Sequence, residues 1–306
     1  MSHIHDMIII GGGPGGYAAA LYAARAGLDT LVVERLSAGG QMALTDQIDN
    51  YPGFDLGVDG FTLGMNMQAG AERFGAVTEL ADVHAVRLEG KIKEVHTSEG
   101  TFYARTVVLA TGANPRELKL PGEKELVGRG VNYCAACDGM FYKGKTVAVV
   151  GGGNTAAADA MLLSRICEKV VLIHRRDNLR ATKIYHDPLF KAENVEFRWN
   201  STVSELIYDE KLTGLKLKDV NSGLETQVDC DGVFVSIGRN PASWLVQGQL
   251  ELDESGYIVA DESTRTSLPG VFAVGDVRTK AVRQVVTAAG DGAAAAHFAE
   301  EYLATI

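Results

Sequence analysis

Two cysteines separated by two residues, followed directly by an acid and a glycine, are the part of this chain best equipped for chemistry: Cys134-Ala135-Ala136-Cys137-Asp138-Gly139. Thiols at that spacing can close a small disulfide ring. A helix N-terminus or a nearby cation can lower a thiol pKa from about 8.5 into the range where the thiolate attacks at neutral pH. Asp138 is placed to move the proton that a dithiol gains or loses. The same pair would also serve as half of a zinc site or as two buried cysteines without a role. Its surroundings favour the redox reading, because a mononucleotide-fold signature begins about ten residues later and a near copy of it opens the chain.

The elements that must position these residues are framed by composition. A chain of 306 residues, 46% hydrophobic and 22% charged, reads as a soluble globular protein long enough for two domains. A net charge of -10 argues against nucleic acid or an anionic membrane surface as partner, since both select for Lys and Arg. Four cysteines with a single close pair do not make a secreted disulfide framework, and Cys167 and Cys230 read as buried thiols. Residues 7–24 are uncharged, but five glycines and Pro14 argue against a membrane span. No basic region precedes that segment, so a cytoplasmic location is expected. No metal site is expected.

Met7 to Ile10 is an apolar strand running into Gly11-Gly12-Gly13-Pro14-Gly15-Gly16 and an alanine-rich helix to Arg25. Gly11, Gly13 and Gly16 allow the turn to close, the backbone to approach a pyrophosphate and the helix to pack on the strand. A second strand, Thr30 to Val33, ends at Glu34, where an acid binds a ribose hydroxyl. Arg35 follows it. The segments around Gly40, Gln41 and Asn50 read as a loop lining the same cofactor. Residues 76–103 suggest a small antiparallel sheet, and Val107 to Ala113 a buried strand entering a turn at Thr111-Gly112. Pro115 and Pro121 mark a first linker.

A strand from Thr146 to Val150 then opens onto Gly151-Gly152-Gly153-Asn154-Thr155-Ala156 and a helix to Ile166. Residue 7 set against residue 147 aligns the two segments without a gap, so the chain carries two dinucleotide-binding units. The repeat shows where they differ. Glu34 of the first is replaced by His174 in the second, followed by Arg175, Arg176 and Arg180. Without the acid, guanidinium groups can hold a 2'-phosphate, so the second unit prefers NADPH and the first a dinucleotide with a free ribose, such as FAD or NAD. Residues 195–237 read as alternating strands closing at Ile237-Gly238, a second linker. The strand at 270–274 ends in Gly275-Asp276, where a carboxylate can accept a ribitol hydroxyl. After Arg283-Gln284, a helix starting near Val285 directs its N-terminus toward a flavin.

These residues resemble the low-molecular-weight thioredoxin reductases of the pyridine nucleotide-disulfide oxidoreductase group. The resemblance rests on the glycine turn at 11–16, Ala110-Thr111-Gly112, Cys134-x-x-Cys137-Asp138-Gly139, Gly151-x-Gly153-x-x-Ala156, His174-Arg175-Arg176, and Gly275-Asp276 with Arg283-Gln284-Val285. It implies an α/β protein with two Rossmann-like domains, the second inserted into the first. The FAD domain would span 1–115 and 244–306, and the NADPH domain with the cysteine pair 116–243. The resemblance also implies a homodimer and thioredoxin as the protein substrate. Cys137 would face the flavin, Cys134 would attack thioredoxin, and Asp138 would act as acid and base. Ala136 and Asn154-Thr155 depart from the threonine and Asp-Ser common at those positions. Three other readings remain: a flavoprotein serving a peroxiredoxin system, a ferredoxin-fed reductase, and a non-catalytic flavin sensor.

Overall fold

The computed structural model describes residues 3–45 and 47–306. It divides into two compact units, residues 1–114 with 240–306 and residues 115–239. The second is inserted into the first, and its exit at 239/240 lies four residues before the 243/244 junction expected from the sequence. The physical reason is that Ala242 already belongs to the first unit, where its N–H donates to Gly112 O and its carbonyl accepts the Thr111 hydroxyl.

The first unit begins with Ile4–Ile10 (β1), Pro14–Arg25 (α1) and Thr30–Glu34 (β2), a parallel strand-helix-strand crossover. Pro14 suits the first helical turn, where its missing N–H has no partner to lose. Gly60–Glu72 (α2), Val77–Leu80 (β3), Val83–Arg87 (β4), Lys93–Thr97 (β5) and Gly100–Leu109 (β6) follow. The antiparallel sheet expected over 76–103 therefore starts late. β3 pairs parallel with β2 because α2 returns the chain to the end where β2 began, and only β4, β5 and β6 are antiparallel.

Ala113–Pro115 (β7) leads into the second unit. There Val131–Asn132 (β8), Ala135–Asp138 (α3), Thr146–Val150 (β9), Asn154–Ser164 (α4), Lys169–Ile173 (β10), His186–Lys191 (α5) and Val195–Arg198 (β11) are followed by Ser201–Tyr208 (β12), Leu212–Asp219 (β13), Glu225–Asp229 (β14) and Gly232–Val235 (β15). The parallel sheet has the order β11-β10-β9-β15-β8, beside an antiparallel sheet β12-β13-β14. The run expected as alternating strands over 195–237 thus splits. Its two ends, β11 and β15, join the parallel sheet. Arg239–Pro241 (β16) returns the chain to the first unit, where Val271–Ala273 (β17) lies beside the second half of β6 and Val285–Leu303 (α6) packs on α1.

Central strands such as β1 and β9 are buried on both faces and so are continuously apolar. Met7 and Ile9 pack with Ala19, Ala20 and Ala23 of α1 and Ala295, Ala296 and Ala299 of α6. Ile8 and Ile10 face the opposite layer with Val86, Val95 and Ile258. The second unit repeats this, Val147 and Val149 facing α4 while Ala148 and Val150 face β12 and β13. Small residues let the helices approach closely: a Cβ on Gly292 of α6 would overlap Gly15 O of α1.

Candidate active site

Cys134 caps α3 in extended conformation, and Cys137 lies in its single turn; the two form a disulfide with Cα atoms 5.3 Å apart. The N–H groups of Cys137 and Asp138 donate to Cys134 O at 3.2 and 3.0 Å, so the ring is tied to its own turn. Both cysteines and Asp138 are half-buried, whereas Ala136, Met140 and Phe141 are exposed. Gly139 lies where α3 meets α4: a Cβ there would sit 3.1 Å from Leu163 Cδ2, a tight contact.

The segment entering the disulfide is held by residues with no motif to announce them. Glu123, 2% exposed, accepts N–H groups from Leu118, Lys119 and Leu120 and the hydroxyl of Tyr133 at 2.8 Å. Burial and that carboxylate push the Tyr133 hydroxyl well above its ordinary pKa, so it stays a donor. On the other side Asn132 donates to the Tyr142 hydroxyl, and Tyr142 packs edge-on against Phe234.

The first glycine turn has the shape of a phosphate cradle. Gly11 has φ +106, and a Cβ on Gly11 or Gly16 would strike backbone. A Cβ on Gly13 would meet nothing within 4 Å, so the turn is closed behind and open in front. Glu34 sits beneath it: Oε2 accepts Gly12 N–H at 2.6 Å, and Oε1 accepts the N–H groups of Arg35 and Leu36. The loop with Gly40 and Gln41 lies over the turn, through Gly39 N–H to Gly12 O at 2.8 Å and Gln41 Nε2 to Asn114 Oδ1 at 3.0 Å. Asn50 donates to Gln284, which caps α6 just before Val285 in a reciprocal box with Thr287. Arg283 turns inward: its guanidinium donates to the carbonyls of Asp276 and Arg278 and stacks 4.0 Å from the Tyr257 ring centroid.

The Gly275-Asp276 loop has a hidden brace. Asp291 of α6 accepts Gly275 N–H, Arg278 Nε and Nη2, and Lys280 Nζ, all at 2.7 to 2.9 Å. Burial alone would raise the Asp291 carboxyl, but these donors hold it below the usual carboxylate range. An acid set among the alanines and glycines of the first half of α6 is the available sequence signal.

In the second unit Gly151 has φ +147 and its Cβ would strike Ser236 O, while Gly153, like Gly13, faces open space. Ala156 packs beneath, Asn154 Oδ1 accepts Thr182 N–H, and Thr155 is exposed. His174 is not at a ligand-facing surface: it is 6% exposed, its ring lies under Gly152, and Nε2 has no hydrogen-bond partner. Burial, then the charges of Arg176, Arg175 and Arg180, push its pKa down. Those three arginines are exposed, and Arg180 N–H fastens its loop to Gly152 O at 2.7 Å. Ile237 joins the core and Gly238 O accepts Arg116 N–H. Ser236 donates to Asp159, whose pKa burial raises.

The family model for pyridine nucleotide-disulphide oxidoreductase matches residues 5–292. The chain belongs to that family. Among family relatives, a thioredoxin reductase of Listeria monocytogenes is 48% identical over 304 residues, covering 98% of this chain and 94% of the relative. A bifunctional thioredoxin reductase/thioredoxin of Mycobacterium leprae is 47% identical over 98% of this chain and 66% of the relative. The crystal structure of thioredoxin reductase from Streptococcus pyogenes matches with a TM-score of 0.91 at 40% identity, covering all of both chains. These agree with the redox reading of the cysteine pair rather than with half a zinc site.

Proposed function

We propose that this oxidoreductase is a thioredoxin-disulfide reductase using FAD in the first unit and NADPH in the second. The observation that carries it is the closed Cys134–Cys137 disulfide, half-exposed, on the same unit as the arginine-flanked glycine turn. When bound, NADPH would supply a hydride and FAD a two-electron carrier between it and the disulfide. The open fronts of the turns at Gly13 and Gly153 suit a pyrophosphate in each unit.

The chain's own residues do the rest. Arg175, Arg176 and Arg180 bind the 2'-phosphate. Glu34 orients the first turn, and Gly275-Asp276, braced by Asp291, bind the flavin side chain. Opening the disulfide requires two electrons and two protons, and Asp138 is the adjacent group that moves a proton. Cys134 Sγ then attacks the thioredoxin disulfide, forming one S–S bond as another breaks. Cys137 attacks the mixed disulfide, restoring Cys134–Cys137 and releasing dithiol thioredoxin. Exposed Met140 and Phe141 offer the incoming protein an apolar contact beside the ring. Among the described residues no helix is long and apolar enough to cross a membrane. A homodimer in the cytoplasm completes the reading.

The test mixes the purified yellow protein with NADPH, thioredoxin and a disulfide dye, with NADH as control. NADPH-driven turnover that requires thioredoxin is expected. Flavin reduction without such turnover would replace this reading with another disulfide partner or a sensor.

A further inference from the structure

At the end of the first sheet opposite the cofactor turn, three side chains converge with no role in the reaction above. His5 in β1 and His3 just before the strand lie side by side, two residues apart. Parallel pairing of Met7 with Thr30 brings Asp29 beside them. His3 Nε2 lies 2.7 Å from Asp29 Oδ2, His5 Nδ1 lies 3.0 Å from the same oxygen, and the three donor atoms fall within 4.8 Å of one another. The two rings stand edge to face with centroids 4.4 Å apart.

The backbone of Asp29 is held in place. Its N–H donates to Asp6 Oδ2, and its carbonyl accepts the N–H groups of Asp6 and Met7. The neighbouring cation, Arg105, is engaged by Asp6 at 2.9 Å. His5 Nδ1 is buried and has no hydrogen-bond partner among the described residues. Two imidazole nitrogens and one carboxylate oxygen thus stand close enough to share one ion.

We propose that His3, His5 and Asp29 form a surface site for a divalent cation of the zinc class, which clips the start of β1 to the turn before β2. Two imidazole nitrogens and one carboxylate oxygen are the donor set such ions take, with the fourth position left to water. Ligands about 2.0–2.1 Å from zinc in tetrahedral array stand about 3.3 Å apart. The observed 2.7 and 3.0 Å separations must therefore open by a few tenths of an ångström. His3 at 70% exposure and Asp29 at 44% are free to make that adjustment. β1 separates this cluster from the Gly11 turn by about 20 Å at 3.3 Å per residue, so the ion is structural and takes no part in electron transfer.

Zinc sulfate titrated into the oxidised holoenzyme, whose closed disulfide offers no competing thiolates, tests this by calorimetry and by melting temperature. One equivalent per chain with micromolar affinity, and a rise in melting temperature, is expected. His3→Ala and Asp29→Asn should each weaken binding by at least about tenfold and abolish the thermal rise. Thioredoxin turnover by zinc-free His3→Ala should equal that of zinc-free wild type. His3 is exposed, so an unchanged melting temperature without zinc certifies that this variant folds. Absence of saturable binding in the wild type, or binding by His3→Ala equal to it, would overturn the proposal.

Discussion

The two glycine turns share backbone geometry but treat charge in opposite ways. In the first unit charge is drawn in: Glu34 accepts N–H groups beneath the turn, and Asp291 accepts Arg278 and Lys280 under the Gly275-Asp276 loop. Arg278 and Asp291 are both held in their charged forms, the arginine pushed up and the acid down. In the second unit burial shifts the buried groups toward their neutral forms. His174 is pushed down, Asp159 up, and Cys230 up to about 12. Its positive charge stands outside, on Arg175, Arg176 and Arg180. One backbone device can therefore be flanked by charge in two ways, because the side chain after the second strand decides whether charge faces the turn or the solvent.

The contrast breaks most severely if the brace of the first unit is cut. Asp291→Ala would leave two buried cations unpaired, a loss of about 3–5 kcal/mol. Lowered melting temperature and flavin released on gel filtration are expected, and full flavin retention would show the brace to be dispensable. Because the folded carboxyl titrates below its unfolded value, the wild-type contribution is complete above about pH 4 and is lost as pH falls below that.

Replacing Arg175 and Arg176 together by Ala tests the outward charge of the second unit. Loss of charge-assisted hydrogen bonds worth about 1.5–3 kcal/mol should lower kcat/KM for NADPH by about 10- to 100-fold. The value for NADH should change by less than about threefold. Equal losses would place the arginines away from the 2'-phosphate.

Glu34→Gln keeps the shape and removes the charge beneath the first turn. A weakening of FAD binding by about 1 kcal/mol, read from the apoprotein titration, is expected, with NADPH affinity unchanged. The smallest effect concerns His174. Its folded pKa lies below the unfolded one, so the unfolded state takes up the proton first as pH drops. Stability should be full above about pH 6.5 and decline below it, by no more than about 1.4 kcal/mol per pH unit. His174→Asn should flatten that acid slope, and an unchanged slope would show that another group titrates there.

The paired signatures made the inserted two-domain layout legible, since glycine runs after apolar strands have one economical backbone solution. Local pattern was less informative at residues 76–103 and 195–237. A short strand's partner, and so its direction, depends on where the preceding helix returns the chain, as β3 and β11 show. The site divides likewise. Cys134, Cys137, Glu34 and the arginines stand next to their motifs, whereas Glu123 and Asp291 act through partners brought together by packing.

By itself the sequence determined the cysteine pair, the two glycine turns and the contrast in charge between Glu34 and Arg175-Arg176. Each of these depends on residues a few positions apart, whose mutual geometry the local backbone dictates. The tertiary structure alone decided that His174 lies buried and neutral under Gly152 and that Asp291 neutralises Arg278 and Lys280. It also decided that Asp29 joins His3 and His5. Those relations span the sheet and its helices, and burial and charge pairing exist only once distant segments have packed.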